Sequence, residues 1–224
     1  FKRRRKPFKL AADLWCSTFV IDDGTPITPE QYQKAIDLVS KPAQFRKLAE
    51  ELWFPPAVSR AAKAFAKCLH WELEFPEVFF NESGRRPDAG FDALIGNPPY
   101  DVLSEAETGR DLSALRAFLE HEPAYGPSFV GKNNLYKLFI CRALDLLADV
   151  GHFGFITPMA VLGDEQASAI RRKMVEVGRF TGIEAFPQKD NPQKRISPEA
   201  KLSTAVFTLV KDRSADAGSQ PFRA

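Results

Sequence analysis

The sequence predicts an α/β protein: the carboxyl-terminal half of an open, doubly wound sheet, preceded by a mainly helical segment. Two patterns carry this expectation. Apolar runs of strand length recur at Phe91 to Ile95, Phe153 to Thr157, Thr181 to Phe186 and Ser203 to Val210. Between the first three lie stretches of helical period, Asn134 to Asp149 and Asp164 to Val177, and strands alternating with helices mark parallel crossovers.

Leu10 to Val20 has apolar residues at helical spacing, whereas Asp22 to Pro26 reads as a loop. Thr28 is an N-cap, with Pro29 at the first helical position and Gln31 as its capping-box partner. Ile36, Leu38 and Val39 supply that helix's buried side. Pro42 ends it or opens the next, in which Phe45, Leu48, Leu52 and Trp53 repeat at helical intervals. Pro55-Pro56 breaks the pattern, and Ala57 to Leu69 is an Ala-rich helix. Trp71, Leu73 and Phe75 alternate with Glu72 and Glu74, which predicts a short half-exposed strand. A polar loop, Asn81 to Gly90, leads into the strand at Phe91. After Tyr100 come a weak helix near Leu112 to Leu119 and a loop with Pro123, Gly126, Pro127 and Gly131, a length typical of functional loops. In the helix from Asn134, the apolar face is Leu135, Leu138, Phe139, Ala143, Leu146 and Leu147.

The most informative run is Phe91 to Tyr100, FDALIGNPPY. It reads as a buried strand stopped by Gly96 and by two prolines that remove ladder donors. In open α/β sheets, ligands bind at the carboxyl ends of strands. Pro99 restricts Pro98 to extended backbone angles and Pro98 has its own φ locked, so the Pro98 carbonyl points in a nearly fixed direction. The Asn97 side chain adds a second neutral acceptor. Two acceptors on a rigid turn can hold both hydrogens of an amino group, and Tyr100 can stack on the flat ring that carries it. The implied substrate is a planar amine.

These residues resemble the signature of the amino-group DNA methyltransferases, an Asn/Asp-Pro-Pro-aromatic motif after the fourth strand of a Rossmann-like fold. The chain is similar in particular to the adenine methyltransferase region of large single-chain restriction-modification enzymes. Besides FDALIGNPPY, three collinear blocks carry the likeness: HWELEFPEVFF from His70, NLYKLFICRALDLLADVGHFGFITP from Asn134, and ISPEAKLSTAVFTLVK from Ile196. The resemblance implies an S-adenosylmethionine-dependent, adenine-specific enzyme acting on a base flipped out of double-stranded DNA. It implies that Asn97 and Pro98 accept hydrogen bonds from the adenine amino group, that Pro99 stiffens the turn, and that Tyr100 stacks on the base. Asn97 and Pro98 would also form one edge of the cofactor site. Ser197 stands where the family pattern has a second stacking aromatic, and Phe186 is the candidate to supply that ring; a core Phe at a strand end is the plainer alternative.

The residues that bind the methionine and ribose parts of such a cofactor are missing from the sequence: Gly24, Gly84 and Gly90 lie in isolated loops. The expected organisation is a helical segment over 1–69, the catalytic half of a methyltransferase domain over 70–211, and a tail over 212–224. The remainder of the same polypeptide, upstream, is the expected source of the cofactor-binding half. Without it, the strand at Ala93 to Ile95 becomes an exposed sheet edge.

Composition narrows the class further. Net charge is +2, yet six of the 31 Lys/Arg fall within FKRRRKPFK, so the remainder is net acidic and shows no general electrostatic grip on DNA. That basic start reads as a solvated charge run. Cys16, Cys68 and Cys141 are odd in number without metal-like spacing, which predicts buried thiols, a reducing cytoplasm and no metal site. No apolar run reaches the length of a membrane span. His70, His121 and His152 have no partners at ligand spacing, and Tyr136 and Phe139 read as core residues. Two other readings stay open on the sequence. One is a methyltransferase of RNA or protein glutamine, which the long helical start argues against. The other is a non-catalytic remnant or DNA-binding piece, which the absent glycine-rich motif and Ser197 favour.

Overall fold

The computed structural model describes residues 2–19, 25–65, 68–187, 193 and 202–212. Its helices are α1 (Lys2–Ser17), α2 (Pro29–Leu38), α3 (Pro42–Lys47), α4 (Phe54–Phe65), α5 (Trp71–Glu74), α6 (Pro76–Phe79), α7 (Glu105–Thr108), α8 (Ser113–His121), α9 (Leu135–Leu146), α10 (Ala160–Gly163) and α11 (Ser168–Val177). The strands are β1 (Phe80–Asn81), β2 (Gly84–Arg85), β3 (Phe91–Gly96), β4 (Leu147–Pro158), β5 (Gly178–Phe186) and β6 (Thr204–Lys211). Two units result: residues 1–77 with 111–121, and residues 78–110 with 122–224.

The first unit is helical. Leu14, Ala35, Phe45, Leu48, Phe54 and Ala57 form its buried centre. The capping box at Thr28 is formed as the sequence predicts: the hydroxyl accepts from the Gln31 amide at 3.2 Å, and the Gln31 side chain accepts from the Thr28 amide at 2.8 Å. Several local expectations need correction. α1 begins at Lys2, so the basic run is its first turns, and Arg5 bonds Glu74 at 2.8 Å and the Leu73 carbonyl at 3.1 Å. Pro55 and Pro56 lie inside the first turn of α4, where an amide has no intrahelical acceptor and its loss costs nothing. The strand expected at Trp71 to Phe75 is a single helical turn, α5. There, Trp71 and Phe75 stack at 5.8 Å, an i,i+4 contact that an extended chain cannot make.

The second unit is built on a four-stranded sheet of order β3-β4-β6-β5. β3 and β4 are parallel, and β6 is antiparallel to both β4 and β5. The carboxyl ends of β3, β4 and β5 therefore share one edge. α9 and α11 contribute to the core with Ile140, Ile170 and Met174, packed with Phe153, Phe207 and Leu209 from the sheet. α9 stops at Leu146, three residues short of the expected end. There the buried Lys211 ammonium donates to the carbonyls of Leu144 at 3.0 Å and Leu147 at 2.5 Å, a cation at a helix carboxyl terminus. Phe139 is 48% exposed, not a core residue, whereas Tyr136 is buried as expected. Gly90, at φ 143°, runs so close to Ala148 that no side chain could fit between them.

β3 is an edge strand among the described residues, as expected, but it is not buried. Ile95 is 89% exposed. Its apolar composition and its accessibility are thus in conflict within this chain.

Replacing Phe207, fully buried against Phe153 and Phe180, with Ala is expected to destabilise the sheet unit by about 3–5 kcal/mol in urea unfolding. Phe139→Ala is expected to cost less than about 1 kcal/mol. Equal costs would contradict the burial assigned to the two rings.

Candidate active site

The turn after β3 is held from both sides. On its amino side, Leu94 to Gly96 pair in register with Phe153 to Phe155 of β4. Gly96 is tight against the core: a β-carbon there would lie 3.0 Å from the Phe155 ring. On its carboxyl side, the chain from Asp101 is stitched to the entry of α9. The Leu103 amide donates to the Asn133 carbonyl and the Leu135 amide to the Asp101 carbonyl, both at 2.8 Å. The Asn134 side-chain amide adds a long bond to the Tyr100 carbonyl at 3.5 Å.

Between these anchors, Asn97 and Pro99 are exposed, Pro98 is buried and Tyr100 is half-buried. No peptide bond in the described chain is cis. Burial pushes the Tyr100 hydroxyl up from its ordinary value, so the phenol stays neutral through the physiological range. The turn thus carries two uncharged acceptors, the exposed Asn97 side chain and the carbonyl of the buried Pro98, and a neutral ring at the carboxyl end of a strand.

Phe186 ends β5, opposite Thr204 of β6, at the same edge of the sheet as Asn97. It is three strand positions from β3, a lateral distance of about 14 Å, so the sheet alone does not bring its ring against the turn. Ser197 lies outside the described residues. Asp92 is exposed on the edge strand, and His152 is exposed on β4. His121 packs between Trp15 and Phe19 at 6.0 and 5.0 Å, and His70 bonds Asp13. Among the described residues, no three His, Cys, Asp or Glu side chains converge on a metal position, and no helix is long and apolar enough to cross a membrane.

Two supporting residues escaped the sequence reading. Asn134 reads only as a helix start in the sequence, yet its side-chain amide donates to the Tyr100 carbonyl. Lys137 is 1% exposed, and its ammonium donates to the carbonyls of Val130 at 2.7 Å and Gln166 at 3.0 Å. This fastens the segment that leads into α9. The available signal was a lysine among apolar residues one turn into a buried helix.

The family model for the Eco57I restriction-modification methylase matches residues 10–191, most of the chain. The chain belongs to the Eco57I restriction-modification methylase family. Its fold is α/β, with a mixed four-stranded sheet preceded in sequence by a helical segment, and the cofactor implied by the family is S-adenosylmethionine.

Over 93 residues the chain is 31% identical to the type II methyltransferase M.TthHB8I of Thermus thermophilus, covering 42% of this chain and 22% of that protein. Over 109 residues it is 28% identical to RM.MjaORFECS2P of Methanocaldococcus jannaschii, named as a type II restriction enzyme and methyltransferase, covering 48% and 8%. The matched part is thus less than a quarter of either relative's length. Among solved structures, a nuclease-deletion form of the type ISP restriction-modification enzyme LlaGI with a DNA substrate mimic aligns at 18% identity and TM-score 0.44, over 88% of this chain and 14% of that one.

The described residues fit one side of a methyl-transfer site. Asn97, Pro98 and Tyr100 suit an acceptor amine on a flat ring. A glycine-rich strand-turn-helix before β3, which would cradle the rest of S-adenosylmethionine, is not found among the described residues. The outer edge of β3, where such an element would pair, has no strand beside it among the described residues, and Ile95 on a face of that strand is open to solvent.

Replacing Lys137 with Met removes the buried ammonium that bonds the carbonyls of Val130 and Gln166, at an expected cost of about 1–3 kcal/mol. Hydrogen exchange should then quicken around 130–134 and 166 while the β4–β6 ladder stays protected. Unchanged exchange in both places would show that the ammonium does not hold this segment.

Proposed function

We propose that this chain is the base-binding half of a DNA methyltransferase specific for the amino group of adenine, within a restriction-modification or related phage-defence enzyme. The observation that carries the reading is the Asn97-Pro98-Pro99-Tyr100 turn, fixed on both sides at the carboxyl edge of the sheet. Family membership supports it.

In this reading the target base is rotated out of double-stranded DNA so that its amino group can reach the turn. The Asn97 side-chain oxygen and the Pro98 carbonyl accept its two hydrogens, and the Tyr100 ring lies against the base. An aromatic amine is a poor nucleophile because its lone pair is shared with the ring. Two acceptors favour a more pyramidal nitrogen with a freer lone pair, and the rigid turn supplies orientation. No strong base is needed, in accord with the neutral groups at the site. When bound, S-adenosylmethionine supplies a methyl group on a sulfonium. Asn97 and Pro98 form only an edge of its site, and the remainder of the same polypeptide provides the rest while covering the free side of β3. Phe186 is retained as a second stacking ring only if the base or its loop spans the distance along the sheet edge.

In the full-length protein, Asn97→Ala should abolish methylation of DNA with the circular-dichroism spectrum unchanged, and retained methylation would remove Asn97 from the assigned role. Tyr100→Phe should keep most activity and leave the pH profile between 6 and 9 unaltered, because the raised hydroxyl never ionises there; Tyr100→Ala should lose about tenfold or more. The 224-residue chain alone should bind S-adenosylmethionine weakly or not at all by calorimetry. Micromolar binding would contradict the placement of the donor pocket outside it.

A further inference from the structure

The segment that follows β4 reaches back to the loop in front of α9, and one side chain makes the join. Gln166 sits in a single 3-10 turn, Glu165–Ala167, between α10 and α11. Its side-chain oxygen accepts from the Lys132 backbone amide at 3.1 Å. Its own amide donates to the Asp164 carboxylate at 2.9 Å, and its carbonyl accepts from the buried Lys137 ammonium at 3.0 Å. The same segment is tied to α11, where Arg171 donates to the Asp164 carbonyl at 2.7 Å and to the Val161 carbonyl at 3.1 Å. The backbone of Gln166 is thus fixed before its side chain reaches out.

Gly131 is fitted to that side chain. Its backbone is left-handed, at φ 70°, and a β-carbon there would lie 2.6 Å from both Cγ and Oε1 of Gln166. Only a residue without a β-carbon satisfies both conditions. Gly131 therefore lets the Gln166 oxygen meet the amide of the next residue, Lys132.

From Lys132 the path to Tyr100 is short. The Asn133 carbonyl accepts from the Leu103 amide at 2.8 Å, the Asn134 side-chain amide donates to the Tyr100 carbonyl at 3.5 Å, and the Leu135 amide donates to the Asp101 carbonyl at 2.8 Å. These bonds are the carboxyl-side anchor of the Asn97–Tyr100 turn, and Gln166 ties them to the segment leaving β4. β4 also pairs with β3 on the amino side of that turn. Both anchors are thereby referred to one strand.

We propose that Gln166 is a positioning residue for methyl transfer: acting through the Lys132 amide, it sets where the carboxyl-side anchor holds the Asn97–Tyr100 turn, and Gly131 is the position that admits it. The inference rests on the reading of that turn as the acceptor of the amine. What the loop takes from position 166 is an acceptor oxygen of the right reach. Losing it displaces the groups that orient the base, which slows the reacting complex more than it weakens binding.

The test compares two variants of the full-length enzyme under single-turnover conditions: Gln166→Met, which keeps length and loses the acceptor, and Gln166→Glu, which keeps an acceptor oxygen. Gln166→Met is expected to slow DNA methylation about three- to tenfold, the worth of one hydrogen bond, with DNA affinity by fluorescence anisotropy within about twofold. Gln166→Glu should recover the rate to within about twofold of the unmodified enzyme. Hydrogen exchange at the Leu103 and Leu135 amides should quicken in Gln166→Met and not in Gln166→Glu, while Leu94 to Gly96 stay protected. Gly131→Ala combined with Gln166→Met should lose no more than the slower single variant, since both break the same bond. An unimpaired Gln166→Met, or a Gln166→Glu as slow as Gln166→Met, overturns the inference. Asn97→Ala in the same assay separates the two claims. If it is active, the reading of the turn fails; if it is inactive beside an unimpaired Gln166→Met, only the role of Gln166 fails.

Discussion

The anchoring of a four-residue turn at both ends is the constraint on which the rest of this structure depends. Two prolines fix backbone angles but cannot fix where a turn sits. That is done by the parallel pairing of β3 with β4 on one side and by the crossed bonds between Asp101–Leu103 and Asn133–Leu135 on the other. The same α9 that receives those bonds is held by Lys137 near its start and by Lys211 at its end. The two buried ammonium groups thus serve the position of neutral acceptors at some remove from them.

The proposed chemistry rests on what the turn lacks as much as on what it carries. Asn97, Pro98 and Tyr100 offer no strong base and no charge, which suits an amine whose difficulty is a delocalised lone pair. The sheet edge explains the other half of the account. A strand as apolar as FDALIG, with Ile95 89% exposed on one face and no strand on its outer edge among the described residues, is open to a covering neighbour, and the proposed remainder of the polypeptide would meet that need while bringing the donor's pocket to the same end of the sheet.

Much of the fold was legible because its signals were long or chemically specific. The four strands of the sheet were each marked by an apolar run, and Thr28-Pro29-Gln31 carries its capping box in three residue types. The turn was legible through its two prolines. What failed was short or depended on distant partners. Four residues of alternation at Trp71 to Glu74 suit a strand until a helical turn lets Trp71 stack on Phe75. Phe139 has the period of a core residue but lies at the margin of the α9 face. Asn134 and Lys137 take their roles from carbonyls that only the folded chain brings near, so neither could be recognised from its neighbours in sequence. The cysteines read as buried thiols, which holds for Cys16 and Cys141, whereas Cys68 is only partly covered.

The central claim is that this turn receives the amino group of adenine. It is tested most directly by digesting DNA methylated by the full-length enzyme to nucleosides and identifying the product by mass spectrometry. The account predicts N6-methyladenine. N4-methylcytosine would contradict the choice of base, and 5-methylcytosine would contradict amine-directed chemistry altogether.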